Sequence, residues 1–405
     1  MAFTFKGRMR LVLGAGAAAV LAAVASTSIH AQDKGPIKIG YILPYKGVWA
    51  APAENIDRGF QVAVAEFGGK VGGRTIEIIR ADDELTPNVA VQRFNKLVQL
   101  DKVDLIAGGV NSSVSIALSE LADRTKKPLV LSNAHADEIT GKFCSPYVAR
   151  TSFSANGSQY GAGQYWAKKG VKKVVTMGPD FSAGHSFLNA FKRGFEDGGG
   201  TVVQQIWTPF QKTKDWSAAL TQAANSGAEF ITTFYAGSEA VQVIKQHADF
   251  GLREKMPLVG DNWLYDDSVL PAIGDLVIGA KYVATYLPES TSEANQKFVA
   301  AYKKMFNAAP DINASLGYDN GKSIMLALEK LGGNMPEDGA KFVEALRSVK
   351  YDAPRGKIHF NAYNSAQLEN EYLLEVVKGA DGKPERKLIA QFPGAPDLPG
   401  CARTF

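Results

Sequence analysis

The stretch Gly108-Gly109-Val110-Asn111-Ser112-Ser113 carries residue types that can bind an anion. The apolar run 103–107 before it reads as a buried strand, and Ile116, Leu118 and Leu121 after it recur on one helical face. Two glycines at a strand-to-helix turn let the backbone bend and leave space beside it. Ser112 and Ser113 then set their hydroxyls next to the unpaired N–H groups of a helix start, where the dipole favours negative charge. A carboxylate is the fitting ligand. The alternative is that Ser112 or Ser113 simply caps the helix.

Catalytic and metal chemistries find little support. Gly317-Tyr318-Asp319-Asn320-Gly321-Lys322-Ser323 has one residue too few between its glycines for a phosphate loop, and no apolar strand precedes it, so it reads as the start of a helix. No nucleophile elbow occurs. Asp82-Asp83-Glu84 reads as a solvated acidic turn leading into Pro87. Asn111, Asn156 and Asn313 begin short glycosylation-type triplets, a pattern common by chance. His135, His185, His247 and His359 are scattered without metal-ligand spacing, so neither a metal nor a cofactor is expected.

The elements that would position the site alternate. Strands are expected at 37–43, 75–80, 103–107 and 128–131, with helices at 55–67, 87–100 and after Ser113. From about Thr151 a second unit begins, with strands at 173–177, 201–207, 230–234, 257–259 and 280–284. Helices are expected at 158–168, 184–196, 216–225, 239–250, 292–306, 313–331 and 338–348, and short β segments between 358 and 392. Such alternation means parallel strands joined by helical crossovers, an α/β fold whose ligands bind beyond the strands' carboxyl ends. The segments 45–49, 111–113 and 133–136 all fall there.

The N-terminus reads as an export signal: Lys6, Arg8 and Arg10, then an apolar stretch 11–25, then small residues to a cleavage point after Ala31, with Ser28 as the other possibility. The formal charge of +4 falls to +1 without those three cations, which argues against a nucleic-acid partner. An exported chain whose only cysteines are Cys144 and Cys401 invites one bridge between them, two free thiols being the alternative.

Lys38-Ile39-Gly40, Arg58-Gly59-Phe60, Ala81-Asp82-Asp83, Pro87 with Ala90, Gly108-Gly109 and the run 128–132 together resemble the periplasmic branched-chain-type amino acid binding proteins, the type I solute-binding component of ABC importers. The resemblance runs from about Ile37 to about Leu374. It implies two lobes, each a mostly parallel sheet flanked by helices, joined by three crossover hinges. It divides the chain into a signal at 1–31, an N-terminal lobe at 32–151 and 286–362, a C-terminal lobe at 152–285 and 363–392, and a tail at 393–405. It also implies no enzymatic step: a periplasmic, monomeric protein closes over a small ligand and delivers it to a membrane permease.

Residue by residue, the resemblance puts Ser112, with Ser113 beside it, and Ala134 at the ligand carboxylate, and Trp49 on a covering loop. Phe181 and Ala183 lie in a turn that usually carries a tyrosine. Tyr235-Ala236-Gly237 forms a further ligand loop. Asn262, with Asp261 before it and Trp263 after it, falls where amino-acid binders keep an acid for the ammonium. Ala136, with His135 beside it, replaces a threonine. Lacking both amino-group partners, the site is expected to take an aromatic carboxylate. A hydrophobic amino acid held by Asp261 is the alternative ligand, and a sensor subunit serving a membrane receptor the alternative role.

Overall fold

The computed structural model describes residues 1–4, 35–267, 269–380 and 382–403. The expected export segment and its cleavage point lie outside them. Residues from Gly35 onward form one compact unit built on two sheets.

The first sheet holds β1 (Ile37–Leu43), β2 (Lys70–Val71), β3 (Arg74–Asp82), β4 (Leu105–Gly108), β5 (Leu129–Leu131) and β6 (Val148–Arg150), in the order β2-β3-β1-β4-β5-β6. Its central strands are parallel, and β1, β4 and β5 are apolar along almost their whole length because helices cover both faces. Those helices include α1 (Ala50–Glu66), α2 (Pro87–Gln99), which opens on its proline, and α3 (Ser112–Thr125).

The second sheet runs β15-β14-β11-β10-β9-β7-β8. Its parallel strands are β7 (Lys173–Pro179), β8 (Thr201–Thr208), β9 (Ile231–Thr233), β10 (Leu258–Asp261) and β11 (Lys281–Ala284). It is crossed by α4 (Ala155–Lys168), α5 (Ser182–Asp197), α6 (Ser217–Ala224), α7 (Gly237–Asp249) and the short α8 (Leu270–Ile273). The chain then returns to the first sheet as α9 (Glu293–Phe306), α10 (Ile312–Lys330), α11 (Gly339–Arg347) and the hairpin of β12 (Tyr351–Ala353) and β13 (Gly356–Ile358). It ends on the antiparallel pair β14 (Asn370–Lys378) and β15 (Pro384–Pro393), longer strands than the short segments expected there.

The chain passes between the sheets after β6, after β11 and before β14. At the last passage Arg150 N donates to Asn364 O at 2.9 Å and Ala366 N to Arg150 O at 2.8 Å, so residues 364–366 still sit beside β6. The expected lobe boundary after 362 falls short of that point. The acidic turn after β3 also differs from expectation: Asp83 is fully buried, its Oδ1 accepts Leu85 N at 2.8 Å, and burial pushes its carboxyl up to about 7.

After β15 the tail passes α4 of the second lobe, where Pro396 O accepts Asn156 Nδ2 at 2.9 Å. It then comes back to the first lobe, where Asp397 pairs with the buried Arg150 at 3.1 Å and Arg403 meets Asp123 at 2.5 Å. Cys144 and Cys401 form the expected bridge, with Cα atoms 5.6 Å apart. It closes a loop of 257 residues, for which chain entropy sets an upper bound of roughly 5 kcal/mol. Cys401→Ser is expected to lower stability by about 2–4 kcal/mol, read from the urea midpoint. An unchanged midpoint would show that the tail is held without the bridge.

Candidate ligand-binding cleft

Between the two sheets, beyond the carboxyl ends of their strands, lies a narrow cavity of about 30 Å³. It is lined by Trp49, Pro52, Val110, Asn133, His135, Phe181, Ala183, Phe234, Ala236, Trp263 and Asn313. The lobes meet around it. Ser113 Oγ lies 3.1 Å from Ser182 Oγ, Asp137 N donates to Ser186 Oγ at 3.2 Å, and Asn313 Nδ2 donates to Asp266 Oδ2 at 2.7 Å.

The wall is aromatic. Phe181 stacks on Phe210 at 4.4 Å and Phe187 on Phe234 at 4.6 Å, Trp49 lies 5.8 Å from Phe181, and the His135 ring is 4.7 Å from Trp263. Such rings give a flat apolar ligand large contact areas at little entropic cost.

Its electrostatics come from helix ends. Trp49 and Pro52 are the cap and third residue of α1, and Val110 leads into α3. Ala183 is the second residue of α5, Ala236 precedes α7 and Asn313 is the second residue of α10, so five helix N-termini border one cavity. They are not equivalent. At α3, Asn111 Oδ1 takes the N–H groups of Ser113 and Val114, at 2.8 and 3.1 Å. At α10, Asp311 Oδ1 takes Ala314 N at 2.7 Å. No side chain caps α1, α5 or α7. Glu239 occupies the first turn of α7, with its Oε1 on Gln211 N at 3.0 Å, and burial pushes its carboxyl up to about 7. The α5 end has no acid in its first turn and no proline there, whereas α1 carries Pro52, so α5 is the stronger anion site. The Trp49 indole N–H, buried and without a partner, is a further donor at the wall.

Of the residues expected at the site, Trp49, His135, Phe181 and Trp263 line the cavity. Ser112 is buried behind it, its Oγ accepting the N–H groups of His135 at 3.2 Å and Ala136 at 3.1 Å. It neither caps α3 nor faces the cavity: Asn111 is the cap. Ser113 bridges to the other lobe, Ala134 and Ala136 are buried behind the wall, and Gly237 touches the opposite lobe at Val48.

Tyr235 is corrected outright. It packs against Trp216 in the second lobe's core, with its hydroxyl 2.8 Å from Thr208 Oγ1. Alternation along the strand end puts Phe234 on the cleft side instead, a signal the sequence did contain. Asp261 is corrected as well. Its Oδ1 accepts Trp263 N and Leu264 N, at 3.0 and 3.2 Å, which shapes the loop that aims Trp263, and burial pushes its carboxyl up to about 8. Asn262 Oδ1 accepts from Thr285 N at 2.7 Å, and the residue faces a separate small cavity. Asn133 and Asn313 were missed, although both lie in segments already singled out. The three asparagines of the glycosylation-type triplets are all buried. Among the described residues no three metal-binding side chains cluster, and no helix is long and apolar enough to cross a membrane.

This architecture is that of a solute-binding protein. Residues 36–383 match the periplasmic binding protein family, and the chain belongs to it. It is 31% identical over 375 residues to Leu/Ile/Val-binding protein homolog 6 of Brucella melitensis, covering 91% of this chain and 95% of that one. The solute-binding protein of an R. palustris ABC transporter in complex with benzoate is 33% identical, with a TM-score of 0.83 over 91% of this chain and all of that one. A counterpart from Rhodopseudomonas palustris BisB5, in complex with 3,4-dihydroxybenzoic acid, is 31% identical, with a TM-score of 0.82 over 90% of this chain and 98% of that one.

Proposed function

We propose that this protein captures an aromatic carboxylate in the exported compartment, closes over it, and delivers it as a monomer to the permease of an ABC importer, with no chemical step. The observation that carries the reading is an aromatic cavity bordered by helix N-termini, three of them uncapped, with no Asp or Glu in its lining. Its free polar capacity is donor-rich: the first-turn N–H groups of α5, around Ser182 and Ala183, and the Trp49 indole. That suits a carboxylate on an apolar ring.

An α-ammonium would need an anionic partner, because an unpaired buried charge is costly. Asp261 spends Oδ1 on its own loop and lies outside the lining, and Asp266 is reached only behind Asn313. The relatives crystallised with benzoate and 3,4-dihydroxybenzoic acid support the acid reading, while the Leu/Ile/Val-binding name of the Brucella relative keeps the amino-acid reading as the rival. Titration calorimetry with benzoate, 4-hydroxybenzoate, leucine and phenylalanine decides between them. An aromatic acid is expected to bind at least a hundredfold tighter than leucine, about 2.7 kcal/mol. Micromolar leucine binding with no response to either aromatic acid would overturn the assignment.

A further inference from the structure

The aromatic contacts between the lobes fall into two groups. At the hinge side, beside Phe153, the His135 ring meets Phe187 at 5.5 Å and Trp263 at 4.7 Å. At the other side the Trp49 ring lies 5.8 Å from Phe181 and 5.3 Å from Phe210. Trp49 and Phe181 are buried and line the cavity, whereas Phe210 is half-buried and does not line it. Phe210 therefore stands outside the cavity wall, with Trp49 and Phe181 on one side and solvent on the other.

Phe210 is set in place by its own lobe. It follows Pro209 at the end of β8, in a loop tied to α7 at three points. Glu239 Oε1 accepts Gln211 N at 3.0 Å, Gln246 Oε1 accepts Trp216 N at 2.7 Å, and Gln246 Nε2 donates to Lys214 O at 2.9 Å. Gln211 takes a left-handed φ of 61, which a residue other than glycine keeps only where its surroundings impose it. The Phe210 ring stacks on Phe181 at 4.4 Å, with 16° between the planes. All these partners belong to the second lobe, so Phe210 and Phe181 stay paired when the lobes part.

Trp49 comes from the first lobe. Its ring enters a slot formed by Phe181, Phe210 and Gly237, with Cδ1 3.1 Å from the point where Gly237 would carry a Cβ. We propose that Phe210 is the latch of the closed state: it grips Trp49 from outside the cavity and sets how long a captured ligand stays, without touching the ligand. This rests on the closure proposed for the protein and not on the ligand's identity. Its consequence is a split between rates. A ligand arrives while the lobes are apart, before Trp49 reaches its slot, so arrival is indifferent to Phe210. Departure requires Trp49 to leave the slot, and contacts made after encounter act on dissociation.

Stopped-flow tryptophan fluorescence of the full chain with benzoate measures both rates, because Trp49 and Trp263 line the cavity. Phe210→Ala is expected to release benzoate about tenfold faster, the scale of one aromatic pair, with association within about twofold of the wild type. Phe210→Leu keeps apolar bulk against Trp49 and is expected to release it about threefold faster. It decides alone if Phe210→Ala does not fold. Dissociation within about twofold of the wild type in the folded variant ends the inference. So does association slowed about as much as dissociation is hastened, because Phe210 would then shape the open site. A wild type that binds leucine and not benzoate strikes the aromatic-acid reading alone, and the same rates read with leucine still decide the latch.

Discussion

Gly237→Ala is expected to weaken binding of 4-hydroxybenzoate more than a hundredfold while the unliganded protein stays folded. Gly237 opens α7 in the second lobe with φ +57, and a Cβ built there falls 2.1 Å from Val48 O and 3.1 Å from Trp49 Cδ1. Those two atoms belong to the turn after β1, in the other lobe. A left-handed φ costs an L-residue roughly 1–2 kcal/mol whether the lobes are together or apart. The overlap with Val48 O arises only when they meet, and a backbone oxygen cannot swing aside as the end of a side chain can. The substitution therefore acts mainly on the closed state. A hundredfold loss corresponds to about 2.7 kcal/mol, well within what such an overlap demands. Calorimetry measures the affinity, and small-angle scattering at saturating acid measures whether the radius still contracts. Wild-type affinity in this variant would show that the cleft binds without the two lobes touching at this point.

Gly237 shows what the sequence could and could not disclose. Resemblance alone marks it as part of a ligand loop, whereas in the structure one lobe's backbone passes the other's at this residue. Such a contact joins residues 48 and 237, and no local pattern encodes it. Local patterns did encode the layers. The apolar run of β1 begins and ends where expected, at Ile37 and Leu43, because a strand buried on both faces is apolar throughout. Helix α2 starts at Pro87 for the reason the proline suggested. Helices α1 and α5 start earlier than their apolar periodicity indicated, because the first turns face the cleft and carry small or polar residues.

The site was legible where bulk decides. Trp49, Phe181 and Trp263 are aromatics on loops at strand ends, and all three line the cavity. It was misread where a single residue of register decides. The sequence reading puts Tyr235 in the cleft and Phe234 in the strand, and the structure exchanges them. The polar residues were misread for another reason. Ser112, Asp261 and Asn262 have the chemistry of ligand contacts, yet each has an oxygen taken by a backbone N–H, from a neighbouring segment at Ser112 and Asn262 and from its own loop at Asp261. Sequence shows what a side chain can bond, not whether the protein has already bonded it. Asn133 and Asn313 were overlooked because they are partners 180 residues apart along the chain.

The helix pair behind the cavity carries the second large effect. Helices α1 and α10 cross at glycines: a Cβ on Gly59 would lie 1.9 Å from Ala314 O, and one on Gly317 would lie 1.9 Å from Ile56 O. Both atoms met are backbone, and both glycines are buried, so an added methyl separates the helices instead of finding a gap. Gly59→Ala is expected to lower stability by about 3 kcal/mol, the upper part of the range for overpacking a filled core. It should also reach the site, because Ala314 follows Asn313 directly, and displacing its carbonyl moves the α10 end that borders the cavity. Gly321→Ala, lower in the same crossing, is the comparison. Its Cβ would meet Ala63 Cβ at 2.8 Å and Phe60 O at 3.0 Å, a milder overlap with a methyl group as the nearest neighbour. Urea unfolding is expected to place Gly321→Ala between the wild type and Gly59→Ala, with binding of 4-hydroxybenzoate weakened in Gly59→Ala and near the wild-type value in Gly321→Ala. Equal midpoints for the two variants would show that the crossing adjusts as a whole, and that close approach at Gly59 does not set the position of Asn313.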